Sequence, residues 1–107
     1  MTTAATQYSL GPIEQIPLGE ARVFQVDGHA IAVFRCRTGE LFATSAECPH
    51  RGGPLADGVV GGHAVICPLH GYLFDLRTGD PIGRECARLA TYRIGATSTG
   101  DLTLDLA

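Results

Sequence analysis

Four residues of this 107-residue chain make a soft metal-binding set: Cys48 and His50 in one short segment, and Cys67 and His70 in another. Sixteen residues, Arg51 to Ile66, separate the two pairs. Structural zinc sites commonly draw their ligands as Cys-x(2–4)-Cys and His-x(3–5)-His pairs, each pair of one type. Here each pair is mixed, Cys-x-His and then Cys-x-x-His. A binuclear iron–sulfur centre with two thiolates on one iron and two imidazoles on the other needs one of each from every loop, and mixed pairs meet that need. A Cys2His2 zinc site accepts the same ligand types and is the alternative, which a colourless protein would reveal.

The elements that must hold these loops are short strands, because no helical periodicity is sustained over three turns. Tyr8 to Ile16 begins the fold, with Pro12 and Pro17 suiting an edge position. Ala21 to Val26 alternates apolar and polar residues, Asp27-Gly28 is the strongest hairpin signal in the chain, and Ala30 to Cys36 pairs back. Arg37 to Glu40 turns, and Leu41 to Thr44 leads into the first pair of ligands. Between the pairs, Val59-Val60 and Ala64 to Ile66 flank a tight Gly61-Gly62 turn that returns the chain to the first loop. Tyr72 to Leu76 continues as a strand, Arg77 to Asp80 turns, Pro81 to Arg88 is a longer loop, and Leu89 to Ile94 and Leu102 to Leu106 close the sheet. The fold class is all-β: a small antiparallel sandwich or partly closed barrel. Residues 1–107 form one domain, with a cluster-binding subdomain at about residues 43–76.

Glycine and proline crowd the candidate ligands. Gly52, Gly53 and Gly71 let backbone N–H groups approach sulfur without a Cβ in the way, and Pro49, Pro54 and Pro68 stiffen the same loops. His29 and His63 follow Gly28 and Gly62 at turns and lack a second ligand at metal spacing, so both are expected to be exposed and inert. Cys36 is expected to pack as a small apolar residue and Cys86 to be half exposed, both as free thiols in a reducing cytosol.

Composition sets the outer bounds. A chain of 107 residues buries roughly two thirds of its unfolded surface, and leaves no room for a separate catalytic domain. A net charge of −3 and a pI near 5.7 argue against nucleic acid or an anionic membrane as partner. The opening MTTAATQYSLGPIEQ has no basic segment followed by an apolar one, and no eighteen apolar residues run together, so a cytoplasmic, untethered protein is expected. There is no Ser/His/Asp constellation, no nucleotide-binding glycine loop and no 2-His-1-carboxylate iron site, so the chain has no active site of its own.

CPHRGGPL and CPLHG resemble the two cluster-binding boxes of the Rieske family. The resemblance implies one 2Fe-2S cluster per chain, with Cys48 and Cys67 on the inner iron and His50 and His70 on the outer one. Two ferric irons, two sulfides and two thiolates sum to zero formal charge, and neutral imidazoles raise the potential relative to an all-Cys cluster. The implied activity is one-electron transfer, with the imidazoles marking the docking face and Arg51 beside them. IPLGEARVFQVDG, ECPHRGGPLADG and FDLRTGDPIGRECARLATY are similar to the small subunit of NAD(P)H-dependent nitrite reductase, a subclass in which some members lack the cluster ligands kept here. The ferredoxin component of aromatic-ring dioxygenase systems is the alternative, and a non-redox zinc-binding interaction module is a third reading from another class. The implied partners are redox proteins: a flavin or NAD(P)H reductase, or a large reductase subunit, as donor or acceptor.

The boxes also carry an expectation for potential. High-potential Rieske proteins of respiratory complexes add a cysteine to each box, where this chain has Gly53 and Leu69, and place Ser and Tyr hydroxyls near the cluster sulfurs, where this chain has Tyr72 and Phe74. Hydrogen bonds to sulfur favour the reduced cluster, so their loss lowers the potential. The midpoint is expected in the lower third of the Rieske span of about −150 to +300 mV. Protein-film voltammetry near neutral pH checks this, and a midpoint above about +150 mV would contradict the reading of these four positions.

Overall fold

The computed structural model describes residues 6–48, 54–68, 71–83 and 86–106. Among the described residues, ten strands form two antiparallel sheets. The larger contains β1 (Thr6–Pro12), β2 (Glu20–Val26), β3 (His29–Arg35), β4 (Leu41–Ser45), β9 (Thr91–Ala96) and β10 (Asp101–Leu106), in the order β1-β10-β9-β4-β3-β2. The smaller contains β5 (Val59–Gly61), β6 (Ala64–Ile66), β7 (Leu73–Asp75) and β8 (Pro81–Ile82), in that order. The all-β class expected from the sequence is observed, and the small antiparallel sandwich or partly closed barrel takes the form of these two antiparallel sheets.

The larger sheet serves as a frame. Its β2–β3–β4 meander runs through the Asp27-Gly28 turn, where both residues take positive φ (49° and 79°), as a two-residue hairpin of the primed type needs. β3 is its central member. Ala32, Val33 and Phe34 are fully buried, as is Ile31, so the strand reads as an apolar run rather than an alternation. The cause is that both of its faces are covered. Ile31 and Val33 join Ile16, Val26, Ala43, Leu102 and Leu104 in a core belonging wholly to the frame. Ala32 and Phe34 point the other way, into a second core shared with Val65, Phe74 and Leu76 of the cluster-side segment.

The frame is interrupted in sequence but not in space. β4 pairs directly with β9 (Ala43↔Tyr92, Thr44↔Thr91), so the smaller sheet is an excursion between two hydrogen-bonded neighbours. β1 lies at an edge, as its prolines suggested.

Two local expectations are revised. The tip of the β5–β6 hairpin is Gly62-His63 rather than Gly61-Gly62, because Gly61 pairs with Ala64 and so belongs to β5. Pro81-Ile82 is a short edge strand rather than part of a loop: it pairs with Leu73 and Phe74, and its outer edge is where a residue without an N–H does no harm.

Candidate metal centre

Each cysteine of the expected ligand set sits at the base of a loop closed by backbone hydrogen bonds. The first loop leaves β4 at Ser45. Ala46 N–H donates to the Ala30 carbonyl at 3.0 Å, Leu55 N–H donates to the Ala46 carbonyl at 3.1 Å, and Glu47 forms a β-bridge with Pro54. The two ends of the segment that begins with Cys48 are therefore drawn together. In the second loop, Cys67 N–H donates to the Tyr72 carbonyl at 2.7 Å, and Gly71 N–H donates to the Cys67 carbonyl at 3.0 Å. Hairpin β6–β7 thus tightens around Cys67.

Cys48 and Cys67 are each 2 % exposed and lie in the same apolar core, with Phe34, Leu55, Val65 and Phe74 as companions. Thiolates are the metal-binding form of cysteine. Two buried cysteines in one core are donors of the type a thiolate-bound iron takes, and in that chemistry they fit a binuclear iron–sulfur centre. His50 and His70, the expected imidazole ligands, lie outside the described residues, as do Pro49, Arg51, Gly52, Gly53 and Leu69.

The spacing between the loops depends on a close approach that sequence reading passed over. After the first loop, a 3-10 turn (Leu55–Asp57) ends at Gly58. A Cβ there would lie 2.2 Å from the carbonyl oxygen of Ile66, the residue before Cys67. Absence of a side chain at position 58 lets the two segments touch backbone to backbone. In the sequence, Gly58 is one more turn glycine at the end of GGPLADG, and nothing local distinguishes it.

The remaining polar candidates fall into place around this core. Cys36 is a free thiol, 1 % exposed, and burial, reinforced by the Glu40 charge, pushes its pKa up. Cys86 is a partly buried free thiol at the margin of the core, as expected. Phe74 is fully buried and offers no hydroxyl, and Tyr72 packs at the edge of the same core. His29 is exposed.

His63 corrects an expectation. It is not an inert exposed residue: its Nε2 lies 2.5 Å from Glu40 Oε1, and its ring meets Phe42 edge-on with centroids 5.9 Å apart. Hydrogen bonding to His63 holds the Glu40 carboxyl below its ordinary pKa. The tip of the smaller sheet is thereby fastened to the β3–β4 turn of the frame.

Residues 6–93 match the family model described as the Rieske [2Fe-2S] domain. The chain belongs to that family, and its cofactor is a [2Fe-2S] cluster. It is 36% identical over 67 residues to the ferredoxin component of the naphthalene 1,2-dioxygenase/salicylate 5-hydroxylase systems of Ralstonia sp., covering 63% of this chain and 64% of that protein. Among solved structures, a candidate NADH-dependent nitrite reductase small subunit from Mycobacterium tuberculosis superposes with a TM-score of 0.90 at 19% identity, covering 98% of both chains. The ferredoxin of Sphingomonas yanoikuyae B1 superposes with a TM-score of 0.83 at 29% identity, covering 95% of this chain and 100% of that one. The chain spans between 13% and 64% of the length of the first curated relatives it matches. Among the described residues, no helix is long and apolar enough to cross a membrane.

Proposed function

We propose that this protein carries single electrons between redox proteins in the cytoplasm, as the electron-transfer small subunit of an NAD(P)H-dependent nitrite reductase. Cys48 and Cys67 hold the inner iron, and His50 and His70 the outer one. The observation that carries the proposal is the pair of cysteines, each 2 % exposed, at the bases of two clamped loops in a single core. When bound, the cluster accepts one electron and returns it. The chain's own part is positional. Phe34, Leu55 and Val65 keep water from the thiolates, and the short Cys67–Tyr72 and Ala46–Leu55 backbone bonds keep the loops from rearranging as charge changes. Because the two cysteines are buried, the iron that His50 and His70 would hold is the one a partner would approach.

The nitrite reductase assignment is supported by end-to-end correspondence with a small subunit of that kind and by the IPLGEARVFQVDG and FDLRTGDPIGRECARLATY stretches. A second reading, ferredoxin component of an aromatic-ring dioxygenase system, is favoured by higher sequence identity to ferredoxins of such systems. The partner recovered with the protein from native extract separates the two: a flavin- and siroheme-containing reductase for the first, an oxygenase with mononuclear iron for the second. The pure protein is expected to be red-brown, to hold about two irons and two acid-labile sulfides per chain, and to bleach reversibly with dithionite. Zinc by elemental analysis would overturn the electron-carrier proposal.

A further inference from the structure

The outer face of the smaller sheet carries a row of apolar side chains running across all four strands. Val59 pairs with Ile66, Ile66 with Leu73, and Leu73 with Ile82. Cross-strand partners project from the same face of a sheet, so these four stand side by side over about 14 Å. The next row, Val60, Val65, Phe74 and Pro81, projects to the opposite face, where Val65 and Phe74 are fully buried in the core. The outward row is correspondingly open: Val59 is 67 %, Ile66 38 % and Ile82 44 % exposed. Three of the five large apolar residues that are exposed among the described residues therefore fall on one line.

We propose that this row is the apolar centre of the docking surface for the protein's redox partner. The inference rests on the electron-transfer reading above. Two observations select that occupant. The row is continuous with the candidate cluster loops: Ile66 directly precedes Cys67, and Leu73 directly follows Tyr72, whose carbonyl accepts the Cys67 N–H. A protein seated on the row is thus placed against the segment that holds the metal. The size of the patch argues in the same direction. Four partly exposed side chains present on the order of a few hundred Å², the scale of a functional patch on a monomer. A stable dimer of two copies needs about 800 Å² from each, whereas electron-transfer encounters sit at the small end of interface sizes. Two of the charges beside the row are matched within the chain: Asp75 with Arg77 at 3.1 Å and Asp80 with Arg88 at 2.8 Å. The centre of the surface is thus an uncharged apolar stripe, and the partner that fits it offers an exposed apolar patch to meet it.

The test uses the holo-protein and its purified large reductase subunit, with the purified mononuclear-iron oxygenase as a parallel probe. The double variant Val59→Asp/Ile82→Asp is expected to raise the KM for this protein in partner turnover at least tenfold, with kcat within twofold and unchanged visible and EPR spectra. Leu18→Asp/Val23→Asp, which charges exposed apolar residues 51 % and 48 % exposed outside the smaller sheet, is expected to leave KM within twofold. An unchanged KM in the first variant, or an equal rise in both, overturns the docking surface while leaving the electron-carrier reading standing. Failure of the wild-type protein to exchange electrons with either probe overturns both. A wild-type dimer in sedimentation velocity that Val59→Asp/Ile82→Asp dissociates would assign the row to a second copy and overturn the partner assignment.

Discussion

Cys67→Ala should yield a colourless protein without a 2Fe-2S cluster, yet with most of its β-structure retained. In the proposed ligand set, removal of this residue would leave the inner iron one thiolate, and metal affinity depends on the full set of deprotonated donors. The retained structure follows from how the two cores are divided. The frame core of Ile16, Val26, Ile31, Val33, Ala43, Leu102 and Leu104 contains no residue of the 46–90 segment, so loss of metal does not reach it directly. The second core holds Cys48, Cys67, Val65 and Phe74 and does depend on that segment. Far-UV circular dichroism should therefore stay β-like, while hydrogen exchange speeds up selectively in β5, β6 and β7. His50→Ala and His70→Ala should lose the cluster in the same way. A red-brown variant with about two irons per chain would remove the substituted residue from the ligand set.

The second large effect is expected at Gly79, in the turn between β7 and β8 of the smaller sheet, against which Leu89 packs on its way back to the frame. Gly79 N–H donates to the Asp75 carbonyl at 2.7 Å, and its own carbonyl accepts from Leu89 N–H at 2.8 Å. Its φ is +83°, and a Cβ would lie 2.0 Å from the Leu89 carbonyl oxygen. Alanine there meets both a left-handed backbone and a backbone atom that cannot swing aside. The left-handed conformation alone costs about 1 kcal/mol for a residue with a side chain, and displacing Leu89 from its buried position raises the total to about 3–5 kcal/mol. For a domain of this size that lowers Tm by at least about 12 °C. Gly39 provides the control, since its φ is +92° but nothing lies within 4 Å of a Cβ. Gly39→Ala should cost about 1 kcal/mol. Equal melting temperatures for the two variants would show that the approach of Leu89 is not what position 79 requires.

Local chemistry explains which parts of this molecule could be read from sequence. Asp27-Gly28 between two apolar runs announced the β2–β3 hairpin because the turn's dihedral demands are met by those two residues themselves. The family was legible for the same reason, because each mixed Cys/His pair that suggested it lies within one short segment. What was misread depends on distant partners. His63 resembled any turn histidine, and its role comes from Glu40 and Phe42, more than twenty residues earlier. Pro81-Ile82 is a strand only because β7 lies beside it, and two residues are too few to carry a period. Gly58 and Gly79 resembled ordinary turn glycines, although backbone from Ile66 and Leu89 occupies the space where a side chain would go.

The direct pairing of β4 with β9 has a bearing on descent. Residues 46–90 leave the frame and return to it through neighbouring strands, so the two attachment points are held together by the frame whatever lies between them. Such an excursion can lengthen, shorten or be exchanged without re-registering the strands that carry it. A lineage can then vary its ligand loops, or lose them, and inherit the same scaffold intact. Selection on the redox site and selection on the fold act on separable stretches of the same domain.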